Sequence, residues 1–206
     1  SLKGANTMQI FLQELMELNT KDSFQHDITW VTGNPLKLIT DILKGFQPLS
    51  AQRDIKLLSE IEDWDEDVEF SPVAVERILN NLLSNAFKFT PEGGTVSVDA
   101  LLIREKPVAE GNNSSCRRLL QIQVSDTGIG ISPEDQKKIF GQFYQAHHNP
   151  DLYGGWGVGL SVVNEMVNQH RGTIDVQSNP GKGSCFCVTL DVTLGTHDGV
   201  RKDNPS

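Results

Sequence analysis

Three groups of residues in this chain have the types and spacing to hold an anionic, phosphate-bearing ligand. Asn81, Asn85 and Lys88 recur at offsets of four and seven, which a helix would align as one polar stripe. An amide oxygen is a hard ligand suited to Mg²⁺, and a lysine reaches phosphate as a point charge. Asparagine is a mediocre helix former, so two in mid-helix require a reason; an ordinary solvated face is the other reading of the stripe. Asp126-Thr127-Gly128-Ile129-Gly130 ends a strand on a carboxylate, and its two glycines let the backbone turn tightly and approach a ligand. A buried carboxylate there could accept from an exocyclic amine, although Asp-Gly turns also end strands for structural reasons alone. Gly154-Gly155-Trp156-Gly157-Val158-Gly159-Leu160 opens a helix, where free N–H groups and the helix dipole favour an anion. The same glycines would also serve a flexible lid or a plain loop. The segment is not a P-loop, since no Gly-Lys-Ser/Thr follows, and not a dinucleotide fingerprint, since no strand leads into it.

These groups need elements to position them. The best-marked helix is capped by Ser71 and opened by Pro72, with Val75, Ile78, Leu79, Leu82, Leu83 and Ala86 on one side. A second is predicted over 35–47, with Asn34 as cap, Pro35 in its first turn and Ile39, Ile42, Leu43 and Phe46 as its stripe. Met8, Phe11, Leu15 and Leu18 give residues 5–19 a helical period, and 20–34 read as polar and irregular. Short strands are expected around 55–58 and 68–70. Alternation marks further strands at Val96/Val98/Ala100/Leu102, at Leu120/Ile122/Val124, at 173–177 and at 184–192. The polar stretch 104–118 reads as a long hairpin loop. Ser132-Pro133-Glu134-Asp135 caps a short helix predicted to end near Phe143–Tyr144, and a helix over 160–170 stops at Gly172.

Composition narrows the class. Of 206 residues, 37% are hydrophobic and 22% charged, which suits one globular domain with a real core. The net charge of −9 argues against a nucleic-acid partner, so a phosphate ligand must be held locally by backbone N–H groups or a few placed cations. Cys185 and Cys187 lie two apart in a strand and, like Cys116, read as reduced thiols of a cytosolic compartment. The chain begins Ser1-Leu2-Lys3-Gly4 without Met, which reads as a piece of a longer protein.

Order and spacing then carry a resemblance. Asn81-Leu82-Leu83-Ser84-Asn85-Ala86-Phe87-Lys88-Phe89-Thr90 resembles the N box of histidine-kinase catalytic domains, and Asp126-Thr127-Gly128-Ile129-Gly130 the G1 box. Phe140-Gly141-Gln142-Phe143-Tyr144 resembles the F box, and Gly155-Trp156-Gly157-Val158-Gly159-Leu160 the G2 box. Gly181-Lys182-Gly183-Ser184 is similar to the family's closing glycine turn. The resemblance covers about residues 50–192 and implies an α+β Bergerat fold. That is a two-layer sandwich of about five mixed, mostly antiparallel strands under about three helices, here with an N-terminal helical arm. It implies ATP and Mg²⁺ as cofactors. Asn85 would hold the Mg²⁺ that bridges the phosphates, with Asn81 beside it and Lys88 on the phosphates. Phe89 would pack on adenine or ribose. Asp126 would accept from the adenine amino group, with Gly128 and Gly130 shaping the pocket. Gly157, Gly159 and Leu160 would give backbone donors to the phosphates. Phe140 and Phe143 would steady the lid or serve as core aromatics.

Related hydrolases of this fold carry a glutamate where Asn81 stands; a glutamate can act as general base on water and asparagine cannot. The resemblance therefore implies phosphoryl transfer to a histidine supplied from elsewhere. His26 falls in the irregular segment, His147 and His148 in the lid, His197 in the tail, and His170 near a helix C-terminus, where positive charge is favoured. None sits early in a long helix, as the family's phosphoacceptor does; residues 1–20 resemble the end of the family's second dimerisation helix, and the resemblance implies 21–34 as linker, 35–194 as the ATP-binding domain and 195–206 as a tail. The implied partners are the protein's own dimerisation domain in a homodimer and a response-regulator receiver domain. The implied place is the cytoplasmic side of a membrane-anchored sensor. Gln142 stands where the F box commonly has Arg or Lys, and Trp156 where the G2 box has a small or hydroxyl residue. A non-catalytic nucleotide-binding module is the alternative these two departures support. A gyrase-type hydrolase is the weaker third reading.

Overall fold

The computed structural model describes residues 29–105, 116–141, 144 and 157–195. The helix expected at 5–19, the middle of the 104–118 loop, Gln142, Phe143, Trp156, His26, His147, His148 and His197 lie outside the described residues.

Eleven elements follow in the order β1 (Val31–Gly33), α1 (Pro35–Arg53), β2 (Lys56–Ile61), β3 (Val68–Phe70), α2 (Pro72–Phe89), β4 (Thr95–Glu105), β5 (Arg117–Asp126), α3 (Pro133–Gln136), α4 (Gly159–Gln169), β6 (Thr173–Ser178) and β7 (Ser184–Asp191). Five strands form one sheet in the order β2-β4-β5-β7-β6, with β2 parallel to β4 and the other pairs antiparallel. The parallel pair is joined through β3 and α2, the crossover that parallel strands require. Helices α1, α2 and α4 cover one face, which makes the expected two-layer α+β sandwich.

Helix α2 forms because its ends are satisfied and its stripe is buried. The Ser71 side chain accepts from the Ala74 N–H and Pro72 fills the first turn. Val75, Ile78, Leu79, Leu82, Leu83 and Phe87 are all at most 1% exposed. Burying a side chain of this size contributes about 1.5–3 kcal/mol, so packing outweighs the mid-helix asparagines. The facing layer is Val96, Val98, Ala100, Leu120, Ile122, Val124, Phe186, Val188 and Leu190, the alternate residues of β4, β5 and β7.

Three elements differ from the sequence reading. Residues 31–33, expected to be irregular, pair antiparallel with β3 (Val31↔Phe70, Gly33↔Val68), a partner no local pattern announces. Helix α1 runs past Pro48 to Arg53 and ends at Asp54 in the left-handed region, φ 49°. The proline removes one bond, to the Lys44 carbonyl on an exposed flank that water can reach. The helix after Ser132 has only four residues; tight turns follow, with the Lys138 N–H on the Asp135 carbonyl and the Gly141 N–H on that of Lys138.

Candidate functional site

Helix α2 is the floor of the site. Its apolar side faces the core, which leaves Asn81, Asn85 and Lys88 half-buried along its flank. Successive elements meet it at known levels. At residue 81, α4 arrives: a methyl added at Gly159 would lie 2.5 Å from the Asn81 Oδ1. At residue 71, α4 leaves: the Ser71 N–H donates to His170 Nε2 at 3.2 Å. The stretches 71–81 and 159–170 are about 15 Å and about 16 Å long. Helix α4 therefore lies antiparallel beside the first half of α2. Its N-terminus points along α2 toward Asn85 and Lys88. That N-terminus has no side-chain cap, and Gly157, at φ 71°, turns the backbone into it. The N–H groups of the first turn and the positive end of the dipole thus face the amide-and-lysine stripe. Leu160 places its side chain against the core, which leaves only its backbone for a ligand.

Asp126 closes the other end. It terminates the central strand β5, opposite Val96 on β4 and Ser184 on β7. The Gly128 N–H donates to its Oδ1 at 2.7 Å. Burial pushes the Asp126 carboxyl above its ordinary range, against hydrogen bonds from Gly128 and from the backbone and hydroxyl of Ser184. A carboxylate held in this way is a strong acceptor for a buried amine. The loop behind it is wedged between two backbones. The Ile129 N–H donates to the Phe89 carbonyl at 3.3 Å, and the Gly181 N–H to the Ile129 carbonyl at 2.7 Å. Side chains do not fit in the wedge: a Cβ at Gly128 would lie 2.5 Å from the Phe89 oxygen, and one at Gly130, where φ is 71°, would lie 2.0 Å from that of Asn179.

Between the α4 N-terminus at residue 81 and the Asp126 loop at residue 89, α2 presents about 12 Å of helix. Lys88 Nζ lies 5.0 Å from the Phe89 ring centroid, so its ammonium is at this part of the floor. Asn81 Nδ2 donates to the Arg77 carbonyl at 2.8 Å, which leaves the amide oxygen toward α4. Among the described residues no group of three or more His, Cys, Asp or Glu could hold a metal, so a cation here would depend on amide oxygens and on the ligand's own oxygens. Phe140 packs against the core, in line with the aromatic role.

Two contributors were missed in the sequence. Ser184 was grouped with a glycine turn, yet it donates to Asp126; only the β5–β7 register brings them together. The sequence places His170 near a helix C-terminus, where positive charge is favoured. It is instead 0% exposed, with Nε2 accepting from Ser71 and Nδ1 3.1 Å from the Met166 carbonyl. A nitrogen that accepts an N–H carries no proton, so the ring is the neutral Nδ1–H form. The cysteines Cys116, Cys185 and Cys187 are free thiols, and burial raises the Cys187 thiol above its ordinary value.

A glycine-shaped carboxylate pocket and an uncapped helix N-terminus, joined by a polar helix flank on an α+β sandwich, define a nucleotide-binding domain. A family model described as histidine kinase-, DNA gyrase B- and HSP90-like ATPase matches residues 71–194, and the chain belongs to that family. It is 31% identical over 180 residues to the sensor histidine kinase WalK of Bacillus subtilis, covering 87% of this chain and 27% of WalK. It is 32% identical over 213 residues to the sensor histidine kinase TmoS of Ectopseudomonas mendocina, covering 98% of this chain and 20% of TmoS. The chain thus spans about a quarter of these relatives' length. The fold is similar to a nucleotide-free catalytic domain of the histidine kinase ThkA, with a TM-score of 0.63 at 21% identity, covering 81% of this chain and 97% of that one.

Proposed function

We propose that this domain binds Mg-ATP and delivers the γ-phosphoryl group to a histidine on a dimerisation domain of the same sensor kinase, in two-component signalling. The observation that carries the reading is the placement of Asn81, an amide and not a carboxylate, where α4 meets α2. A site that activated water would need a base near the phosphates, and asparagine supplies none. In this reading adenine donates its amino group to Asp126, with Phe89, Gly128 and Gly130 around it. The phosphates extend along α2 to Lys88 and to the backbone N–H groups of Gly157, Gly159 and Leu160. Asn85 would be the residue that holds Mg²⁺, through its amide oxygen. The metal would supply charge neutralisation on the phosphates; the chain's residues bind and orient them. The whole protein acts as a homodimer, membrane-anchored with this domain in the cytoplasm, and its phosphohistidine serves a receiver domain.

Calorimetric titration of the chain with Mg-ATP, wild type against Asn85→Ala, tests the binding. Wild type binds, and the variant loses affinity at least tenfold, about 1.4 kcal/mol. Fusing the chain to its dimerisation helices and following label from [γ-³²P]ATP tests the transfer. Binding without label on histidine would establish the non-catalytic module that Gln142 and Trp156 suggest. Steady hydrolysis by the isolated chain would establish the hydrolase.

A further inference from the structure

The two helices of the site are joined at both ends of their overlap, and the joint far from the ligand includes a buried side chain that hydrogen-bonds across it. We infer that His170 is a positioning residue for nucleotide binding: it clasps α4 to α2 and so fixes where the α4 N-terminus meets the phosphates. The inference rests on the nucleotide reading of the site.

His170 ends α4, and its ring reaches across to the residue that caps the neighbouring helix. Nε2 accepts the N–H of Ser71, the N-cap of α2, and Nδ1 faces the Met166 carbonyl of its own helix. The backbone is fixed as well, since the Asp191 N–H donates to the His170 carbonyl at 3.0 Å. Trp30, just before β1, lies on the imidazole with ring centroids 4.5 Å apart. The turn that follows has no slack, because a Cβ at Gly172 would lie 2.1 Å from the Thr189 oxygen. At the ligand end, by contrast, α4 is held by packing: Gly159 rests on the Asn81 amide, and Val162 and Val163 are buried below. Losing the His170–Ser71 bond removes a directional tie between the two helices and lets α4 pivot against α2 about its fixed C-terminal backbone. The pivot moves the N–H groups that receive phosphate, about 16 Å away.

Asparagine and glutamine separate positioning from bulk packing. The short amide introduced by His170→Asn can reach the Met166 carbonyl in place of Nδ1 but falls short of Ser71. The longer amide introduced by His170→Gln extends to where Nε2 stands. Mg-ATP affinity is measured calorimetrically on the whole chain, with folding checked by circular dichroism. His170→Asn is expected to bind about tenfold more weakly than wild type, the scale of one orphaned buried N–H. His170→Gln is expected to stay within about threefold. Leu102→Ala, a core truncation at the far end of β4, is expected to lower the thermal midpoint and keep wild-type affinity. The inference is overturned by wild-type affinity in folded His170→Asn, by equal loss in His170→Gln, or by equal loss in Leu102→Ala. If His170→Asn does not fold, hydrogen exchange of the wild-type Ser71 amide decides. At free Mg-ATP near ten times Kd it is expected to slow about tenfold, and no slowing overturns the inference. Absence of ATP binding by wild type would refute the nucleotide reading itself; binding with an indifferent His170 refutes the clasp alone.

Discussion

Gly159→Ala is the sharpest test of how α4 meets α2. The new methyl would lie 2.5 Å from the Asn81 Oδ1, well inside contact distance. The obstacle is the tip of a side chain and not backbone, so Asn81 yields. Moving it off its rotamer costs about 0.5–1.5 kcal/mol. Breaking its bond to the Arg77 carbonyl, 2.8 Å long, costs about 1 kcal/mol more. Alanine returns up to about 1 kcal/mol over glycine in a helix, less at its first residue. The single variant is thus destabilised by about 0.5–2.5 kcal/mol on these terms. In an Asn81→Ala background the clash is absent and only the helix gain remains, so the same substitution becomes neutral or stabilising. Urea unfolding of the four proteins in the cycle should give a coupling of about 1.5–2.5 kcal/mol, the rotamer and hydrogen-bond terms together. Additivity within about 0.3–0.5 kcal/mol would refute the contact, and with it the antiparallel placement of α4 along α2.

Gly183→Ala is expected to cost about 3 kcal/mol or more in thermal unfolding, because φ is 84° and its Cβ would meet the Asp126 backbone oxygen at 1.9 Å. Gly181→Ala, at φ 76° but with nothing within 4 Å, is expected to cost only about 1 kcal/mol, so equal costs would contradict the wedge. Asp126→Asn is expected to abolish ATP binding without lowering the thermal midpoint at neutral pH. Burial raises the Asp126 carboxyl, so its stability contribution is complete below the ordinary aspartate range and is lost as pH rises through the folded value. Melting both proteins from acid to neutral pH checks this, and a lower midpoint for the variant at neutral pH counts against it. Asp191 has the opposite sign. Desolvation pushes its carboxyl up, but hydrogen bonds from Thr193 and Arg117 outweigh it and hold it below the usual value. Its contribution is present above the ordinary aspartate range and lost as pH falls through the folded value. Asp191→Asn should cost about 1 kcal/mol at neutral pH, modest because Arg117 is half exposed, and should flatten the acid arm of the stability curve.

What could be read in advance depended on range. Helix α2 was legible from cap to stripe because a helix writes its buried face into one period of sequence, and its asparagines stood out against that period. The inner faces of β4, β5 and β7 were legible for the same reason, with a period of two. The strand at 31–33 was not, since three residues carry no period and gain their bonds from β3, more than thirty positions on. The helix after Ser132 was read too long because its cap and acidic first turn are local, whereas its end is set by turns at Lys138 and Gly141.

For the site, the sequence by itself marked the candidate residues: Asp126 between strand and glycines, the amide of Asn81, and glycines opening α4. Those are identities, and identity is local. Only the tertiary structure decided that Gly159 rests on Asn81, that Ser184 donates to Asp126, and that His170 is a buried acceptor for Ser71 and not a charge at a helix end. Each is a bond or contact between residues many positions apart, fixed by strand register and helix packing. No pattern within either segment encodes its partner.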